Sequence, residues 1–194
     1  MKIGIDFDGT VADTSTAKSS YIESHFGLDV PPCRCNRTEC VPLIGEAAYE
    51  EMGRVMYSRE RTLQIPPVPG SVPAIRELAE RASLFVVTAR ASSQRSIVED
   101  WLHRNELDDC FKDIFGAEPG RDKVSTCELH SIDILIDDDT RHLREVNQLP
   151  RRILFQSDGS RTMSDDTYQV ASSWADLISV IGLPDNIYKA LPRQ

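Results

Sequence analysis

Apolar residues gather along this chain in short runs separated by segments of helical period. Lys2 to Phe7 (KIGIDF), Leu84 to Thr88 (LFVVT) and Asp133 to Asp137 (DILID) are strand-length runs rich in Ile, Val or Phe, as expected where both sheet faces are covered. Ser71 to Ala82 sets Val72, Ile75, Leu78 and Ala79 on one helical face, and Ser93 to Asn105 does the same with Ile97, Val98, Trp101 and Leu102. A fourth strand is expected over Arg152 to Phe155, after a helix starting near Thr140, and a last helix over Ser173 to Ile181. Strands alternating with helices predict an α/β protein, a Rossmann-like, mostly parallel three-layer α/β/α sandwich.

One stretch breaks the alternation. About sixty residues lie between the first strand and the helix at Ser71, with Ala17, Tyr21 and Ile22 in one helical pattern and Ala47, Ala48, Met52, Val55 and Met56 in another. A crossover between parallel strands needs little more than about a dozen residues. The excess predicts a small helical cap, residues 14–66, inserted after the first strand of a core made of residues 1–13 and 67–194. The proline-rich IPPVPGS, residues 65–71, is its expected return hinge, because prolines end helices and stiffen the chain.

Length and charge narrow the functions. A chain of 194 residues buries ~70% of the surface it exposes when unfolded, enough for one core and a small subdomain. With 22 Lys and Arg against 31 Asp and Glu, the net charge of −9 disfavours a nucleic-acid polymer or an anionic membrane as partner. No apolar run approaches the roughly 20 residues of a membrane span. The start, MKIGID, reaches Asp6 too soon for a secretory signal, and five cysteines, an odd number, fit a reducing compartment, so a cytoplasmic location is expected. Any phosphate this acidic chain binds must be drawn by local charge or by a metal.

Ligands of open α/β sheets bind beyond the carboxyl ends of the strands. There the first strand runs into Asp6-Phe7-Asp8-Gly9-Thr10, the second into Thr88-Ala89-Arg90 and the third into Asp137-Asp138-Asp139, with Lys123 upstream of the third. So many carboxylates on one sheet edge repel one another unless a cation sits among them. An all-oxygen ligand set favours Mg²⁺.

These residues resemble the four ordered motifs of the haloacid dehalogenase-like superfamily, mostly phosphohydrolases: DFDGT, a Thr, a Lys and an acidic pair, over residues 3–139. The resemblance implies that Asp6 is the nucleophile and Asp8 the general acid/base. It implies that Thr88 and Lys123 engage the phosphoryl group, with Gly9, Thr10, Ala89 and Arg90 beside it. Mg²⁺ would be held by Asp6, Asp8 (through its backbone carbonyl), Asp137 and Asp138. The insertion matches the superfamily's helical cap. A carboxylate at Asp8 departs from the branches that cleave carbon–halogen bonds, and DFDGT from the phosphonate-cleaving DxAGT. Asp122-Lys123-Val124 through Ile134-Leu135-Ile136-Asp137-Asp138 is similar to the DK...LLIDD region of 5′-deoxyribonucleotidases, which makes a nucleoside monophosphate the favoured small phosphorylated substrate. Ala89-Arg90 departs from the usual sequence after the motif Thr in those enzymes.

Plainer readings stand beside these. Thr88 is also a good helix N-cap, Lys123 an ordinary helix-start lysine, and Asp139 is read as a cap in preference to a ligand. Arg90 either meets the substrate phosphate or pairs with the acidic cluster. Cys33, Cys35 and Cys40 near His25 raise zinc, but a one-residue gap is poor ligand geometry and ordinary thiols are preferred. Cys110 and Cys127 are expected to pack as apolar groups. Arg34, Arg37, Arg54, Arg59 and Arg61 make the insertion locally basic, either a guide for an anionic substrate or a solvated face. Besides a phosphatase, the same scaffold serves a phosphotransferase or mutase, or a non-catalytic phosphate-binding module.

Overall fold

Alternation along the strands decides the layers. In a computed structural model describing residues 1–144, 151–157 and 168–182, β1 (Lys2–Ile5), β2 (Ser83–Ala91), β3 (Phe111–Ala117), β4 (Ile134–Asp137), β5 (Arg151–Phe155) and β6 (Gln169–Ala171) form one sheet in the order β3-β2-β1-β4-β5-β6. Every pairing is parallel. Ile3, Ile5, Leu84, Val86, Ile134, Ile136, Ile153 and Phe155 belong to one buried cluster with residues of α5 (Ser71–Ala79), α6 (Arg95–Arg104) and α9 (Trp174–Ile181). The intervening positions Val87, Leu135 and Leu154 pack with Cys127 of α7 (Lys123–His130) and Leu143 of α8 (Thr140–Arg144) on the opposite face. Two helical layers thus cover a sheet whose inner strands are buried on both sides, the expected α/β/α sandwich. Gly4 is required by this packing, since a Cβ there would come 2.9 Å from Val87 Cγ2.

The four predicted strands and the four helices predicted from Ser71 onward are present, with ends displaced by a few residues. Two strands, β3 and β6, were not expected; they form the two edges of the sheet. No helix among the described residues is long and apolar enough to cross a membrane. The tail of the expected core, beyond 182, lies outside the described residues.

Between β1 and α5 the chain forms α1 (Thr14–Phe26), α2 (Arg37–Ile44), α3 (Glu46–Met56) and α4 (Arg59–Thr62). These helices bury a cluster of their own, Ile22, Val30, Cys35, Cys40, Met52 and Met56. The chain leaves and rejoins the sheet layer through adjacent backbones: Asp13 N–H donates to Pro66 O and Val68 N–H to Val11 O, both at 2.9 Å. Ala12 and Pro67 bridge as antiparallel partners.

Candidate active site

The neighbours of β1 come later in sequence on both sides, β2 on one and β4 on the other, which makes its carboxyl end a switch point where ligands bind. Asp6 is held there by its N–H to Ile136 O, 2.9 Å. Asp137, fully buried, ends β4 beside it. Asp122 caps α7 by accepting from Ser125 N–H at 2.8 Å, which fixes Lys123 in the first turn. Lys123 Nζ then donates to Asp137 Oδ2 at 2.6 Å and lies 2.8 Å from Asp6 Oδ1. The second contact is an ion pair outside good hydrogen-bond angles, so Asp6 Oδ1 remains buried without a hydrogen-bond partner among the described residues.

Asp6, Asp137 and Asp138 each offer an oxygen within 4.8 Å of the others. One ammonium faces three carboxylates, and the imbalance appears in their proton affinities. Burial pushes the Asp6 pKa up to about 7, Lys123 opposing and Asp137 and Asp8 reinforcing. Burial and then the Asp6 and Asp137 charges raise Asp138 well above the carboxylate range. For Lys123, burial works against the charge, but Asp137 and Asp6 outweigh it and raise its pKa. Three buried or half-buried carboxylates with one ammonium among them form a dense all-oxygen set that suits a small hard divalent cation.

Asp8 is turned out of the strand by Gly9, at φ +83°, a conformation side-chain-bearing residues rarely adopt. A Cβ at Gly9 would also strike Asp138 Oδ2 at 2.0 Å. Arg90 grips the re-aimed carboxylate bidentately, Nε to Oδ2 at 2.7 Å and Nη2 to Oδ1 at 2.8 Å, and Thr14 Oγ1 donates to Oδ1 at 2.7 Å. Burial would raise the Asp8 pKa, but Arg90, Lys18 and Thr14 together lower it. The guanidinium also donates to Thr62 Oγ1 at 2.8 Å and lies between the Phe7 and Tyr57 rings, 4.9 and 4.6 Å from their centroids. The structure shows Arg90 in one of its two expected roles, paired with the acidic cluster.

Asp6, Asp8, Ala89, Lys123, Asp137 and Asp138 line one cavity of about 80 Å³. Gly9, Thr10, Thr88 and Arg90 are not on its described lining. Thr88 Oγ1 accepts from Arg90 N–H at 3.2 Å, and Thr10 is fully buried with its carbonyl accepting from Trp174 Nε1 at 3.1 Å. Asp139 accepts from the backbone and guanidinium of Arg141, consistent with a helix start. Lys18, Tyr49, Tyr57 and His142 also line the cavity and were missed from sequence. The same four border a second chamber of about 490 Å³, with Met52 and Gln94 on its wall. Tyr49, Met52 and Tyr57 follow helical spacing across and just past α3, a signal readable in sequence only as a packing face.

Among the described residues the carboxylate trio is the one group of three or more whose ligand atoms lie close enough to share a metal, and it contains no cysteine. Cys35 and Cys40, both buried, donate to backbone carbonyls, Cys35 Sγ to Pro31 O at 3.6 Å and Cys40 Sγ to Arg34 O at 3.2 Å, and His25 stacks on Tyr21. Cys127 is buried in the core as expected; Cys110 is only partly so. Four of the five arginines of the insertion are neutralised, Arg34 by Glu39, Arg37 by Glu46, Arg54 by Glu51 and Arg59 by Asp100 of the core.

Comparison with known proteins agrees with this geometry. The model of the family described as 5′ nucleotidase, deoxy (pyrimidine), cytosolic type C protein matches residues 1–186. A protein of Halalkalibacterium halodurans, provisionally named a nucleotidase, is 26% identical over 139 residues, 71% of this chain and 69% of its own length. A haloacid dehalogenase-like hydrolase of Streptococcus pneumoniae superposes with a TM-score of 0.66 at 16% identity, covering 93% of this chain and 97% of that one. A HAD-hydrolase of Bacillus subtilis, whose structure was described as magnesium-bound, superposes with a TM-score of 0.62 at 15% identity over 94% and 98% of the two chains.

Proposed function

We propose, for a chain that belongs to the 5′ nucleotidase, deoxy (pyrimidine), cytosolic type C family and is a haloacid dehalogenase-like hydrolase of phosphate monoesters, that it is a Mg²⁺-dependent phosphatase of nucleoside 5′-monophosphates working through a phosphorylated Asp6. The observation that carries the reading is the trio Asp6, Asp137 and Asp138 with their oxygens drawn together, paired with the single ammonium of Lys123.

Asp6 attacks phosphorus with one carboxylate oxygen; the ester P–O bond breaks, and Asp8 gives its proton to the leaving oxygen. Asp8 then takes a proton from the water that attacks the phosphorus of the acyl phosphate, freeing inorganic phosphate and restoring Asp6. Because Arg90 and Thr14 hold the resting Asp8 as a carboxylate, it takes one proton from solvent as substrate binds and returns one to solvent as product phosphate leaves. Lys123 stabilises charge on the transferring group. Mg²⁺, held by Asp6, Asp137, Asp138 and the Asp8 carbonyl, would offset phosphoryl charge and favour ionised Asp6.

The division of labour follows the layers: residues 1–13 and 67–194 are the catalytic core, and 14–66 a helical cap over the cavity. The chamber walled by Tyr49, Tyr57, Met52 and Gln94 offers apolar faces and an amide, chemistry that suits a nucleoside. A cytoplasmic location follows from the family reading. The test is phosphate release from nucleoside monophosphates, sugar phosphates and polyol phosphates, with Mg²⁺ and with chelator. Turnover confined to Mg²⁺, highest on nucleoside monophosphates and lost in Asp6→Asn, is expected. Undiminished turnover in Asp6→Asn would remove the covalent mechanism.

A further inference from the structure

Charge pairing around the two cavities leaves one cation over. Lys123 is bonded to Asp137, Arg141 to Asp139, Arg37 to Glu46 and Arg54 to Glu51. Lys18, half-buried on α1, lines both cavities yet makes no hydrogen bond or ion pair with any described residue. Its ammonium lies 5.8 Å from the centre of the Tyr57 ring. The ionisable groups acting on it are the Tyr57 and Tyr49 phenols and the Asp8 and Asp138 carboxylates. Lining both, it stands at the border between the small carboxylate-lined cavity and the larger chamber.

A primary ammonium loses hydration on partial burial and recovers it only through acceptors. The Tyr57 face supplies part of that compensation. Three N–H donors remain, next to the space a phosphoryl group would fill. We infer that Lys18 is a substrate-binding residue, whose ammonium donates to a non-bridging phosphoryl oxygen of the bound ester and of the product phosphate. Being carried by the insertion, it would tie that segment's position to the presence of phosphate. The inference rests on the phosphatase reading of the same cavity.

Inorganic phosphate is the probe, added to the Mg²⁺-loaded full-length protein and followed by calorimetry alongside KM and kcat for a nucleoside monophosphate. Lys18→Met should weaken phosphate binding and raise KM, each by about tenfold, as loss of one charge-assisted hydrogen bond predicts, while kcat changes less. Lys18→Arg should recover most of the affinity. If Lys18→Met does not fold, Lys18→Gln, equally uncharged, serves in its place. A phosphate Kd raised less than about threefold in the folded uncharged variant overturns the inference, whatever happens to Tm or kcat. Wild-type protein that binds phosphate but releases none from any ester would instead sink the phosphatase reading and leave Lys18 a phosphate ligand.

Discussion

At the residue scale, Asp6 pays for its position with a displaced proton affinity. Its pKa is about 7 in the fold against 3.8 when free, chiefly because burial disfavours the charged form. A raised folded value means that the contribution to stability is whole below 3.8 and is lost as pH climbs to about 7. Asn at this position cannot ionise and loses nothing over that window. In metal-free buffer, the Tm of Asp6→Asn should therefore gain on wild type from pH 4 to 7 and level off above, and Mg²⁺ should narrow the gap by favouring the carboxylate. A gap that shrinks as pH rises would contradict this. Asp6, Lys123, Asp137 and Asp138 were legible in the sequence because strand ends and motif order announce them. The grip of Arg90 on Asp8 was left open, since it joins residues 82 positions apart, and nothing local decides which carboxylate a guanidinium meets. Lys18 was invisible for a related reason: its meaning lies in the partner it lacks, which no spacing records.

At the scale of elements, buried strands read well and edges read badly. β1 and β4 lie inside the sheet, β4 apolar on both faces and β1 buried at every position after Lys2, so their runs stand out. β3 has a single buried position, Ile114, and β6 is three residues long, so neither carries the uninterrupted apolar run that marks a covered strand. Helix ends matter more here than helix middles. Asp122 accepts from both the N–H and the hydroxyl of Ser125 at 2.8 Å, and this cap sets where α7 begins and hence where Lys123 points. Asp122→Ala should cost about 1 kcal/mol of stability, the usual worth of such a cap, read by urea unfolding. It should also lower kcat several-fold by loosening Lys123, and Asp122→Ser should restore both. Unchanged kcat in a destabilised Asp122→Ala would mean that Asp137 and Asp6 alone hold the lysine in place.

At the scale of the whole molecule, the sandwich presents groups that can recognise only what all phosphomonoesters share, while the inserted helices supply most of the walls beyond. Their existence was legible from about sixty residues that fit no crossover; what they grip was not, because Arg90 to Thr62, Trp101 Nε1 to Ile65 O and Gln94 Nε2 to Tyr57 O are all contacts made after folding. These contacts tie Tyr57, Thr62 and Ile65 to Gln94, Arg90 and Trp101, and Tyr49 lines both cavities. Tyr57 also packs on Arg90, so changing it would disturb Asp8 as well. Tyr49 stacks only with Arg37 among the described rings and cations, 5.6 Å away, which makes it the cleaner probe of substrate choice. If it carries a nucleobase or sugar, Tyr49→Ala should lower kcat/KM for nucleoside monophosphates by about tenfold, the range of a lost base–aromatic contact. Methyl phosphate, which does not reach the chamber, should be turned over as before, because remote binding energy is lost only by substrates that possessed it. Equal losses on both substrates in a folded variant would assign Tyr49 to holding the insertion in place, and selection of the leaving group would then have to come from the core side of the chamber, where Gln94 and His142 stand.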